Sequence, residues 1–220
     1  MGIQVIGPGG SVAEVNSAYK TLRTALYPAN GLGYYRLSAI SGLITTVAAA
    51  TATAGHLFAF RNTSATLIIP TFLSVKWRTI TGFTAAQEVG FDVVIARGYT
   101  ASHTGGTAIS TASNGLKKRT NDPTSVLGDA RIATTGALTA GTHTLDAQPM
   151  LQEAFADLAA AATVPKARAD SVWDMTNGQD SLLVLAQNEG LVIRNSILMG
   201  TAGTARLIVD MSWIEATAYP

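Results

Sequence analysis

Cysteine is absent from all 220 residues. Disulfides, thiolate metal sites and a cysteine nucleophile are therefore excluded. Charge is also scarce: Asp, Glu, Lys and Arg make up 13% of the chain, about half the usual share of a soluble domain. The net charge is +1, and Lys117-Lys118-Arg119 is the only cationic run. It falls in a polar stretch and is read as a solvated loop, so direct nucleic-acid binding is not expected. No uninterrupted apolar run approaches the roughly 20 residues of a membrane-spanning helix. The Ala-rich tract from Val47 to Ala54 is short and broken by Thr. The start, from Met1 to Gly10, lacks a basic segment followed by an apolar one and is not read as a signal peptide. Synthesis in the cytoplasm with no membrane partner is the expectation.

What the chain does contain is small and neutral. Hydrophobic residues reach 47%, but aromatics only 7%, and much of the apolar share is Ala, which buries little area per residue. The expectation is thin core layers, or burial completed by neighbouring subunits. A surface rich in Thr, Ser, Gly and Ala with few charges suits a protein covered within an assembly.

Residues 1–11 hold a Gly-Pro-Gly-Gly cluster and read as a flexible or extended arm, either a free terminus or a tether to a neighbour. Residues 12–220 read as one β domain. Ser11 to Pro28 fits either helical or strand spacing. Strands are expected over Tyr34–Leu43, His56–Arg61, Thr66–Thr81 and Glu88–Tyr99, with Pro70 marking a bulge or edge break. Thr100 to Asp129 is a long polar loop, and Arg131 to Leu145 carries weaker strand character. Pro149 opens an expected short helix over 150–162, with Leu151, Phe155, Leu158 and Ala162 on one face and Pro165 ending it. Ser181–Ala186, Leu191–Leu198 and Thr204–Glu215 read as a three-stranded meander. The fold class is therefore all-β, an antiparallel sandwich of jelly-roll type with one short helix.

Chemical motifs are sparse. His56, His103 and His143 are far apart in sequence and form no local ligand pair, so they read as surface or hydrogen-bonded histidines. No nucleophile elbow, phosphate loop or calcium loop occurs. Asp92, Asp174, Asp180 and Asp210 are possible members of a hydrolytic carboxylate pair, but nothing selects two of them. Asn62-Thr63-Ser64 matches a glycosylation triplet without a secretion signal to support it. Trp77 and Trp213 are expected in the core, and Trp173 at an end of the sandwich or a subunit contact. No catalytic, cofactor-binding or metal-ligating residue is assigned.

Several phrases together carry a resemblance: Phe58-Ala59-Phe60-Arg61-Asn62-Thr63-Ser64, Phe83-Thr84-Ala85-Ala86-Gln87, the run from Ala96 to Ala108, Arg131-Ile132-Ala133-Thr134-Thr135 with Leu138-Thr139-Ala140-Gly141-Thr142, and Leu185-Ala186-Gln187-Asn188-Glu189-Gly190. From about Val12 onward the chain resembles virion structural proteins of tailed bacteriophages, and within them jelly-roll-like capsid decoration, or cement, proteins. That resemblance implies a non-enzymatic protein on the outer capsid surface. It would bind the major capsid protein and copies of itself, as a dimer or trimer, and reinforce joints between capsid subunits. A head or tail fibre that binds a receptor, and a virion-associated glycan hydrolase, are the alternatives.

Overall fold

A computed structural model of the chain describes residues 15–16, 21–22, 31–45, 55–85, 87–110, 116–157, 168–174, 182–197 and 203–218. The expected N-terminal arm lies outside these residues. Two short strands, β1 (Val15–Asn16) and β2 (Thr21–Leu22), pair with each other. The remaining strands form two antiparallel sheets. The five-stranded sheet contains β3 (Gly31–Ile40), β4 (Ile44–Thr45), β6 (Leu67–Thr81), β12 (Arg168–Asp174) and β14 (Thr204–Ala216). Its order is β12-β6-β14-β3, with β4 also on β14. The seven-stranded sheet contains β5 (His56–Arg61), β7 (Gln87–Ala101), β8 (Thr107–Ala108), β9 (Asp129–Ile132), β10 (Thr142–Leu145), β11 (Leu151–Asp157) and β13 (Gly190–Asn195). Its order is β10-β7-β13-β5-β9-β8, with β11 also on β7.

The pairing has a nested logic. β3 pairs with β14, β5 with β13, β6 with β12, and β7 with β11, all antiparallel. The outermost two of these eight strands pair, then the next two inward, down to the central pair. This is one long hairpin rolled up so that its successive pairs fall alternately in the two sheets. That winding is the jelly roll, and the expected fold class is the observed one.

Few aromatics are present, but the fold spends them in one place. Trp77, Trp213, Tyr35, Phe58, Phe60 and Phe91 are all fully buried and belong to the main core between the sheets. Trp213 stacks on Tyr35 with ring centres 5.8 Å apart and meets Phe60 edge-on at 5.4 Å. Each such side chain contributes on the order of 1.5–3 kcal/mol by leaving water. The main core is thus filled by the chain's own side chains, and both tryptophans expected there are in it. Pro70 sits where the β6–β14 register shifts, with Ser212 opposite Phe72 and Trp213 opposite Pro70. A residue without an N–H is tolerated at such a bulge.

Two expectations are corrected. Where a helix was expected over 150–162, Leu151–Asp157 is a strand paired residue by residue with Gln87–Val93; 158–162 lie outside the described residues. Leu151 and Phe155 are four apart, a spacing that keeps them on one face of either a helix or a strand. The alternation settles it: Leu151, Glu153 and Phe155 are half-buried, whereas Gln152, Ala154 and Ala156 are exposed. The Gln87–Val93 edge of β7 needs hydrogen-bond partners, and β11 supplies them. Pro149 lies in the short link from β10, and the ladder begins just after it, with Met150 N–H donating to Val93 O at 2.8 Å.

The C-terminal meander is also not formed. β13 inserts between β7 and β5 in one sheet, and β14 between β6 and β3 in the other. Leu185 makes a single bridge to Ile68. β13 is buried along nearly its whole length, while β14 turns Leu207, Val209 and Met211 to the core and keeps Arg206, Ile208 and Asp210 half-buried on its other side.

Candidate functional site

The long apolar strands of the seven-stranded sheet turn alternate residues to opposite faces. Phe58 and Phe60 of β5, with Leu191 and Ile193 of β13, face the main core. Ala59 and Val192, between them, face the other way and join Ala96, Tyr99 and Leu138 in a second, smaller core. The segment from Ala133 to Gly141 covers this second core on its way from β9 to β10. It is tied down in three places: Ala133 N–H donates to Leu57 O at 2.8 Å, Leu138 N–H to His56 O at 2.8 Å, and Thr139 and Thr104 exchange bonds of 3.0 and 3.1 Å.

That crossing brings the chain's three histidines together. His56 opens β5, His103 follows the end of β7, and His143 lies on β10. His56 and His103 are buried and His143 half-buried. Their ring centres are 4.9–5.6 Å apart, and one nitrogen from each lies within 4.8 Å of the other two. His56 Nδ1 and His103 Nε2 share a hydrogen bond of 2.7 Å whose donor depends on the tautomers. Tyr99 stacks on His143 at 4.6 Å. His143 Nδ1 and the Tyr99 hydroxyl are buried without a well-formed hydrogen bond.

Burial dominates the electrostatics. It pushes His56 down to about 4, helped by His143 and Arg194. His103 is pushed down to about 3 by burial, then by His56, His143 and Arg131. His143 is also lowered by burial, while the nearby Gly141 backbone pulls the other way. Removing a cation from water inside such a cluster is costly, and a second imidazolium alongside raises the cost. At neutral pH all three rings are therefore uncharged and each keeps one nitrogen lone pair, one of which accepts the bond between His56 and His103. The two arginines acting on the cluster are themselves neutralised, Arg194 by Asp92 at 3.2 Å and Arg131 by Asp129 at 3.6 Å.

The histidines were read singly in the sequence because 47 residues separate the hydrogen-bonded pair. No local spacing announces them. The only local sign is the Thr142-His143-Thr144-Leu145 alternation, in which the threonines are exposed and His143 and Leu145 half-buried.

The two candidate acids whose side chains are described, Asp92 and Asp210, do not converge in this way. Asp92, on the seven-stranded sheet, bonds Arg194. Asp210, on the five-stranded sheet, accepts from Ser38 at 2.6 Å and Lys76 at 3.0 Å. Burial works against the ionised form of Asp210, but those two donors outweigh it and hold its carboxyl below the usual range. Asp210 is the one acid lining an open depression of about 430 Å³ that also involves Arg36, Ser38 and Phe72. Asp174 ends β12, with its side chain outside what is described, and Asp180 lies outside the described residues. Trp173 is on β12, again without a described side chain.

Two further motifs resolve into structure. Asn62 of the glycosylation triplet is fully buried, and its amide donates to Thr66 O and Leu185 O. It is an architectural side chain with no room for a glycan. The cationic run is strapped to the sandwich: Lys118 N–H donates to Tyr34 O at 2.8 Å, and Arg119 lies 4.7 Å over the Tyr34 ring and pairs with Asp122. No protein-family model matches the sequence, and no curated protein matches it.

Proposed function

We propose that the chain is a virion structural protein of the decoration type, a jelly-roll body that docks on an assembled capsid and reinforces contacts between major capsid protein subunits. One observation carries the reading beyond the sequence resemblance. Among the described residues, the exposed large hydrophobic side chains are Val172 (62% exposed), Ile40 (55%), Ile80 (46%), Leu43 (42%) and Leu32 (38%). All lie on the five-stranded sheet or in the link from β3 to β4, and Val172, Ile40 and Leu32 are on its two edge strands. The described residues of the seven-stranded sheet present none. A sandwich with one apolar-edged sheet and few charges is built to be covered on that side. Repeated over a lattice, modest contacts of this kind add up through avidity. The separated, individually paired Asp92 and Asp210 argue against a carboxylate-pair hydrolase.

The test is cryo-EM of purified particles combined with binding of the purified chain to assembled capsids and to isolated capsid subunits. Density for the chain outside the shell, and binding to assembled capsids alone, is the expected result. Density in the tail would overturn the reading and transfer the protein to a fibre or receptor-binding role.

A further inference from the structure

We propose that His56, His103 and His143 form a binding site for a divalent first-row transition ion of the zinc class, held by three imidazole nitrogens with a fourth position open to water. This goes beyond the decoration reading and does not depend on it.

The donor set is the first argument. Among the described residues the cluster consists of three imidazoles with no carboxylate ligand, a donor set that suits zinc, cobalt, nickel or copper and not the oxygen-seeking magnesium or calcium. Three protein nitrogens plus a water is a recurrent zinc arrangement.

Geometry is the second. Metal–nitrogen bonds of about 2.0–2.1 Å in a tetrahedral site place nitrogens about 3.3 Å apart. Here one pair stands at 2.7 Å, and all three nitrogens lie within 4.8 Å of one another. Opening the short pair and drawing in His143 needs only small side-chain rotations. In the apo arrangement a proton bridges His56 and His103; for the ion to take its place, that proton moves to the other nitrogen of the donor ring, which leaves a lone pair on each of the two facing nitrogens.

Preorganisation is the third. The backbones around all three histidines are already held, by the Leu138–His56 bond, the Thr104–Thr139 pair and the pairing of Thr142 with Ala101 and Thr144 with Arg97 on either side of a bulge at His143. Little ordering remains for an ion to impose. The Nδ1 atom of His143 is buried, and the Gly141 backbone beside it makes no well-formed hydrogen bond with it, so the ring can turn a nitrogen towards an ion. The bound ion would staple β5, the end of β7 and β10 across the face of the sheet turned away from the main core.

The test uses the full chain, untagged so that no added histidines compete. Co²⁺ is titrated and read by its visible d–d absorption, with Zn²⁺ as competitor and Mg²⁺ as control. The expected result is one equivalent of Co²⁺ giving the intense bands of a four- or five-coordinate site, abolished by Zn²⁺ and unaffected by Mg²⁺. His143→Gln, at a half-buried edge position, should keep the thermal melt of the metal-free protein. It should weaken Co²⁺ binding by more than the roughly 10–100-fold that an outer-shell change costs. Imidazole ¹⁵N shifts, recorded with and without Zn²⁺, report all three rings without any substitution. Absence of d–d bands at millimolar Co²⁺, binding unchanged in His143→Gln, or ¹⁵N shifts confined to other groups would each overturn the proposal.

Discussion

Glu215 offers the sharpest test of how the sandwich is closed. Its carboxylate is 1% exposed at the end of β14. It accepts from the Ser125 hydroxyl at 2.5 Å, from Val126 N–H at 3.1 Å and from the indole N–H of Trp213 at 3.1 Å. It thereby pins the 125–127 segment onto the sheet beside the Tyr35–Trp213–Phe60 cluster of the core. In Glu215→Ala the Ser125 hydroxyl can rotate to another partner, but the Val126 and Trp213 donors are left buried and unmade, at about 1–3 kcal/mol each. The total loss is about 2–6 kcal/mol, and at about 2–4 °C per kcal/mol for a chain of this size the melting temperature falls by about 4–24 °C. Glu215→Gln keeps one acceptor oxygen and should lose less. Circular-dichroism melts give the temperature, and Trp213 emission should shift to the red as the segment loosens. Hydrogen exchange should speed up at Val126 and Leu127 before it does so in β14. If Glu215→Ala melts like a surface control such as Thr120→Ala, at an exposed position, the carboxylate is not closing the structure and the reasoning fails.

Gly190→Ala places a Cβ against the carbonyl oxygen of Phe60 at the head of a central strand, where neither backbone can retreat; a loss of about 1–3 kcal/mol is expected in urea unfolding, and an unchanged midpoint would mean that β5 and β13 are looser than described. In chelator-treated protein, acid should destabilise the fold in a defined window. The folded values of His56 and His103, about 4 and about 3, lie below the unfolded value near 6.5, so the unfolded chain takes up protons first. Their contribution is complete above pH 6.5 and is lost as the pH falls towards 4, at up to about 1.4 kcal/mol per unit for each histidine; a flat urea midpoint between pH 6.5 and 4 would refute it. Val172→Lys, at the most exposed apolar position described, should leave the melt unchanged while reducing binding to assembled capsids; equal binding would take β12 out of the contact.

The strands were legible because their signals are local. His56–Arg61 was placed to the residue from Leu57/Ala59 and Phe58/Phe60 alternation, and the apolar run around Val93 marked the middle of β7. The partners were not legible, because a rolled hairpin pairs β3 with β14 across most of the chain, with Val209 opposite Ala39. Sequence order invites pairing of consecutive strands, which is how 181–215 came to be read as a meander. The expected helix failed for a related reason. Leu151 and Phe155 satisfy both periods, and what decides between them is the vacant edge of β7, some 60 residues earlier in the chain.

The histidine cluster makes the same point about function. His56, His103 and His143 each look unremarkable in context, on a strand start, after a strand end and between two threonines. They meet because the Ala133–Gly141 segment must cross the sheet to carry the chain from β9 to β10, and its backbone hydrogen-bonds to whatever it passes, His56 and Thr104 among them. A site assembled by a crossover has no sequence spacing of its own. It also has a property that a local motif lacks: its integrity depends on the crossover being docked. An ion held there would therefore favour the docked state over any in which Ala133–Gly141 lifts away, since binding one of two states shifts the balance towards it. Protection of the Leu138 and Thr139 amides from exchange should thus rise on adding Zn²⁺, while the Val209 amide in β14 stays as it was. A rise confined to β14, or spread evenly over both sheets, would place the ion's effect elsewhere.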